Sequence, residues 1–88
     1  MNFSFDTPLA DKVWCDENNL WILLKDSRQI SIPLAFFPRL RTALKDELNN
    51  YQISGGGIGI HWDTLDEDLN VPSLVLGIFS NQKILNYA

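Results

Sequence analysis

The pattern of apolar and polar positions changes character along the chain. Lys12-Val13-Trp14-Cys15 is a short β-prone run, and Asp16-Glu17-Asn18-Asn19 is a polar turn. Leu20-Trp21-Ile22-Leu23-Leu24 is a dense apolar run, after which Asp26-Ser27-Arg28 turns the chain again. Gln29-Ile30-Ser31-Ile32-Pro33-Leu34 then alternates, with Ile30, Ile32 and Leu34 on one face. A period of two marks a strand with one buried side. Three such segments joined by short turns predict an antiparallel meander.

From residue 35 the period lengthens. On a helix, Phe37, Leu40, Leu44, Leu48 and Tyr51 fall within an arc of about 80°, a core-facing stripe. Pro38 fits only a first helical turn. Arg41 would fall about 20° beyond the edge of that arc, against the apolar stripe of one straight helix. The pattern therefore divides into a short turn near residues 36–41 and a helix over 43–49, with Thr42 as its N-cap. Tyr51-Gln52-Ile53-Ser54 and Ile58-Gly59-Ile60-His61-Trp62 predict strand pieces flanking Gly55-Gly56-Gly57, where glycines imply a bulge or a close backbone approach. Asn70-Val71-Pro72-Ser73-Leu74 combines an N-cap residue with a first-turn proline, and predicts a short helix to about Gly77. Residues 1–9 are expected to be a loose lead-in and residues 80–88 a partly mobile tail. The fold class is α+β: a small antiparallel sheet, a three-strand meander plus a later strand, packed with one or two helices. Residues 1–88 are expected to form one domain, with its core over about 10–79.

Composition narrows this further. A chain of 88 residues with 45% hydrophobic positions holds enough apolar material for one core. Cys15, the sole cysteine, has no partner for an internal disulfide and supplies no Cys-rich zinc site. With no apolar run of about 20 residues and no signal-peptide pattern at the start, a cytoplasmic protein outside the membrane is expected. The formal charge of -4 disfavours non-specific nucleic-acid binding and suits a basic protein partner.

The candidate chemistry lies in residues 54–69. The glycines are not followed by the Lys and Ser/Thr of a phosphate loop, and Ile60 stands where GxGxxG needs glycine. Asp63, Asp66, Glu67 and Asp68 repel one another, by about 1 kcal/mol for each like pair at ~4 Å in water. A divalent metal would offset that, but the run lacks calcium-loop spacing, and His61 belongs to no HExxH pattern. No metal or cofactor is expected. Thr64-Leu65-Asp66-Glu67 has capping-box spacing, with Thr64 and Glu67 as helix-capping residues. His61 has a pKa suited to proton transfer, which also needs a second positioned group. Ser54 and Cys15 qualify by residue type alone, so no catalytic residue is assigned. A histidine bonded within the sheet beside Trp62 is the simpler reading. Arg39, Arg41 and Lys45, with Arg28, supply a basic patch. Trp14, Trp21 and Trp62 are read as core or core-edge residues. The residues retained as a candidate binding set are Arg39, His61, Trp62, Asp66 and Asp68.

Several motifs also occur in a familiar order: Asp26-Ser27-Arg28, then Ile32-Pro33-Leu34-Ala35-Phe36-Phe37-Pro38-Arg39-Leu40, then Gly55-Gly56-Gly57-Ile58-Gly59-Ile60-His61-Trp62, then Leu65-Asp66-Glu67-Asp68-Leu69. In order and spacing they resemble the bacterial family of unknown function DUF2442. Its pattern reads like D-G-R, P-L-x-W-F-P-R-L, G-x-G-I-H-W and L-D-E-D-I. Two positions depart: Ser27 replaces a glycine, whose positive φ it need not keep, and Phe36 replaces the common tryptophan. The resemblance implies a small α+β fold and no particular activity. It also implies a small partner encoded next door, in what looks like a toxin–antitoxin arrangement. The helix-turn-helix addition of some members has no counterpart here, so DNA binding does not transfer.

The expected function is a non-catalytic protein-interaction module, antitoxin-like, whose partner is the neighbour-encoded toxin-like protein; pairing of strand edges leaves a homodimer open. Two alternatives compete with it. One is a metal-assisted hydrolase using His61, Asp63, Asp66 and Asp68. The other is a sensor of a small anionic ligand, bound by Arg39 and His61 beside the glycine turn.

Overall fold

The computed structural model describes residues 7–79. The expected mobility of residues 80–88, and most of the expected lead-in, lie outside that range. The meander is present as β1 (Ala10–Cys15), β2 (Asn19–Leu24) and β3 (Gln29–Pro33), antiparallel in that order. Leu20, Ile22 and Leu24 of β2 are buried, while Trp21 and Leu23 point the other way and are half-buried. The dense apolar run is thus an alternating strand whose second face also carries large side chains. In β1 the buried residues are Ala10 and Val13, three apart. The pairing shifts between Ala10 and Lys12, and this bulge at Asp11 restores the inward direction.

Local turn chemistry closes both hairpins. Asp16 accepts from the N–H groups of Asn18 (2.9 Å) and Asn19 (2.7 Å) with one oxygen and from the Trp21 indole (2.8 Å) with the other. In the β2–β3 loop, Ser27 N–H donates to Leu24 O (2.9 Å) and Leu24 N–H to Arg28 O (2.8 Å). That is a three-residue loop whose last position must be left-handed. Ser27 takes it, at φ 80°, so the positive φ survives the loss of glycine. Asp26 fixes the loop by accepting from the Arg28 N–H (3.0 Å) and pairing with its guanidinium (2.9 Å).

The helical segment breaks more thoroughly than the pattern predicts. A 3-10 turn over Leu34–Phe36 leads into α1 (Pro38–Arg41), with proline in its first turn, and then α2 (Lys45–Leu48). Thr42 does not cap the second helix. Its hydroxyl donates back to Pro38 O (3.2 Å), and Leu44 is the residue before α2, its N–H held by the Glu47 carboxylate (2.9 Å). The extended backbone of Leu44 resets the helical phase. Phe37 and Leu40 are therefore buried as expected, Leu48 is half-buried, and Leu44 leaves the core at 70% exposure. Arg41 is exposed, away from the apolar stripe it would border on one straight helix.

The second half differs from the expected later strand by forming a meander of its own. β4 (Tyr51–Ser54), β5 (Gly59–Trp62) and β6 (Glu67–Asn70) make a second antiparallel three-stranded sheet. Thr64 and Glu67 cap no helix. Residues 63–66 are a four-residue hairpin turn, Asp66 N–H donates to Asp63 O (3.2 Å), and Glu67 begins β6 opposite Trp62. Asp66 takes the left-handed position at φ 53°, which aspartate tolerates better than most residues. Leu69, opposite Ile60, points to the core, so strand pairing with β5 buries an apolar residue that a helix start did not require. The next helix follows at once as α3 (Val71–Val75), with Asn70 accepting from Ser73 N–H (2.9 Å), as the sequence predicts. The glycine run is a tight turn between β4 and β5. At Gly57, φ is +113° and a Cβ would meet the Ala10 carbonyl oxygen at 2.7 Å, the Ala10 nitrogen at 2.8 Å and the Leu9 Cβ at 2.9 Å. Only glycine lets this turn lie against β1.

One apolar cluster joins the two sheets and the helices: Val13, Leu20, Ile22, Leu24 and Ile32 from the first sheet, Ile60, Trp62 and Leu69 from the second, with Phe37, Leu40, Val71 and Leu74. Two hydrogen bonds fasten it. Tyr51 donates to Val13 O of β1 (2.7 Å), and Trp62 donates its indole N–H to Leu48 O (3.0 Å).

Candidate functional site

Strand alternation decides which side chains reach solvent. In the second sheet Tyr51, Ile53, Ile60, Trp62 and Leu69 turn inward, leaving Gln52, His61 and Asp68 side by side on the outer face. Trp62 is wholly buried, so this member of the candidate binding set is a core residue. His61 remains half-buried outside, between two carboxylates. Its Nδ1 lies 2.6 Å from Asp68 and its Nε2 3.0 Å from Asp63. A ring with an acceptor at both nitrogens is best satisfied as the imidazolium, which donates from each. The hydrogen bonds to Asp63 and then Asp68 accordingly raise the His61 pKa above its ordinary value.

Arg39, on α1, reaches the turn of the same hairpin. Its guanidinium donates to the main-chain carbonyl of Asp66 and lies 3.6 Å from the Asp66 carboxylate. Glu67, inward-facing and partly buried, has its carboxyl pushed up by desolvation, against the pull of the Arg39 charge. The candidate residues thus separate into two groups on one hairpin: His61 with Asp63 and Asp68 on the outer face, and Arg39 with Asp66 at the turn. Each group is internally bonded. With both nitrogens of His61 engaged, neither is free for Ser54 or Cys15. Cys15 lies on the core-facing side of the other sheet, and burial, then the Asp16 charge, push its thiol up to about 11, the reverse of an activated nucleophile. Among the described residues, no three His, Cys, Asp or Glu side chains are arranged to hold a metal ion. Arg28, once grouped with the basic patch, is paired within its own turn.

The first sheet presents the opposite outer face. Trp14 and Trp21 are cross-strand partners pointing away from the core, and their rings lie nearly parallel, 2° apart with centroids 6.0 Å apart. Half-buried Leu23 sits two residues along from Trp21, opposite Lys12. Trp14 keeps 39% of its surface exposed. At the end of the pair stands Asp16, whose carboxyl is lowered below the usual range by the Trp21 indole, followed by the Asn18 and Asn19 N–H groups. The sequence reading placed Trp14 and Trp21 at the core or its edge. The missed signal is that Val13 and Leu20 face inward, so their neighbours must face out.

The family model for the protein family of unknown function DUF2442 matches residues 10–80. The chain belongs to this family. The DUF2442 chain is also similar to a crystal structure of a protein of unknown function from Rhodospirillum rubrum, 34% identical, with TM-score 0.74 over 85% of this chain and 93% of that one. An uncharacterised protein of Chromobacterium violaceum, solved by NMR in solution, shares the fold at 21% identity, with TM-score 0.73 over 90% of this chain and 74% of that one. No curated protein matches the DUF2442 chain. No helix among its described residues is long and apolar enough to cross a membrane.

Proposed function

We propose that this DUF2442 chain is a non-catalytic protein-interaction module, antitoxin-like in role, that binds its neighbour-encoded partner through the outer face of the first sheet. The observation that carries this reading is the Trp14–Trp21 pair on a solvent-facing sheet surface. Large aromatics bring most contact area for least lost rotamer freedom, and they dominate the energetic centres of protein interfaces. The competing readings have weaker support. An anion beside His61 would meet Asp63 and Asp68, and a metal there would have to displace hydrogen bonds at both ring nitrogens.

The test is co-expression with the neighbouring gene product. The reading expects a complex that survives gel filtration and is lost in Trp14→Ser, with the variant's thermal unfolding close to that of the parent chain. A complex indifferent to Trp14→Ser, or none at all, counts against it.

A further inference from the structure

The Trp14–Trp21 face has a fixed charge at one end, and that charge narrows what it fits. Asp16 is held in place by three hydrogen bonds, two from main-chain N–H groups and one from the Trp21 indole. Those bonds favour the ionised carboxylate and leave it capacity to accept another donor, since a carboxylate offers about four acceptor positions. An anion locked against one of two parallel indoles combines two recognition elements for a single group. A planar cation can lie flat on an aromatic ring and send its N–H groups into the carboxylate. Arginine meets both requirements in one side chain, with a delocalised guanidinium that stacks on aromatic faces and forks toward carboxylates. Lysine, a compact and strongly hydrated charge, meets them less well. The net charge of -4 adds attraction over longer range.

We infer that the Trp14–Trp21–Asp16 surface takes an arginine-bearing segment of a partner protein, the guanidinium stacked on the exposed Trp14 indole and hydrogen-bonded to Asp16. This rests on the interaction reading above and specifies the partner's chemistry at its centre.

The experiment is calorimetric titration of the intact chain with three probes: hexa-arginine, hexa-lysine, and hexa-citrulline, the uncharged analogue of arginine. Binding is expected to be at least threefold tighter for hexa-arginine than for hexa-lysine, and absent for hexa-citrulline. Trp14→Ala, which leaves the net charge unchanged, should weaken hexa-arginine at least tenfold, and Trp14→Phe should recover part of the loss. Equal binding of the arginine and lysine probes, or a Trp14→Ala variant that binds hexa-arginine as the parent does, overturns the inference. If hexa-arginine fails to bind while Trp14→Ser still breaks the co-expressed complex, the arginine assignment fails and the docking face stands. If Trp14 substitutions alter neither, both fail.

Discussion

The two sheets share a topology and use their outer faces in opposite ways. Each is an antiparallel meander of three strands with an apolar inner face in the common core. The second sheet covers its outer face with Gln52, His61 and Asp68 and joins its charges to one another. The first sheet leaves two tryptophans there, beside a carboxylate whose geometry its own loop fixes. A surface whose polar groups are already matched offers little to a partner. One with exposed aromatic area and a held charge still has interactions to make. Residue type alone would rank the two the other way, because histidine and aspartates draw attention as chemistry and tryptophans as core.

The largest expected effect separates core from surface within one residue type. Trp62→Ala removes a wholly buried ring that donates to Leu48 O and should cost about 3–5 kcal/mol. That is a large part of the roughly 4–13 kcal/mol expected for a chain of this length. Trp14→Ala should cost clearly less, about 1–2 kcal/mol, because the ring is partly open to solvent and its stacking adds only about 1 kcal/mol to the area it covers. Urea denaturation followed by circular dichroism measures both, and equal losses would erase the distinction between the two tryptophans. Gly57→Ala comes next. It forces a side chain onto the β1 backbone at φ +113° and should cost on the order of 3 kcal/mol. Were it neutral in the same denaturation series, the close approach of the glycine turn to the first sheet would be wrong. Tyr51→Phe removes the hydrogen bond between the sheets at Val13 O and should cost about 1 kcal/mol.

The legible part of the fold was the part governed by local pattern. The first meander, the break before α2 and the Asn70 cap of α3 follow from alternation, an ill-placed Arg41 and an N-cap residue. The second meander did not, because Thr64-Leu65-Asp66-Glu67 carries a genuine capping-box spacing that competes with strand pairing. Burial of Leu69 against Ile60 favours the strand, and sequence spacing does not express that long-range gain. The candidate site was half visible for a related reason. His61 and its acids are neighbours in sequence, whereas Trp14 and Trp21 meet only through the β1–β2 register.

Smaller effects sharpen the contrast further. Ser27→Gly relieves a left-handed serine in the first sheet and should stabilise the chain by about 1 kcal/mol. The effect of pH should have opposite signs in the two sheets. His61 has a raised folded-state pKa, so its contribution is fully present below its unfolded value near 6.5 and is lost as pH rises through the folded value. Asp16 has a lowered one, so its contribution is present above its unfolded value near 3.8 and is lost as pH falls through the folded value. NMR titration should place the His61 pKa above 6.5 and move it down in both Asp63→Asn and Asp68→Asn. A His61 pKa at or below 6.5 in the unsubstituted chain would mean that the two carboxylates do not hold the ring.

Amide hydrogen exchange of the chain, alone and mixed with the proposed neighbour-encoded partner, tests the assignment of the docking face most directly. The account predicts new protection in β1, β2 and the Asp16 loop, with the β5–β6 hairpin around His61 unchanged. Protection confined to the β5–β6 hairpin would contradict it.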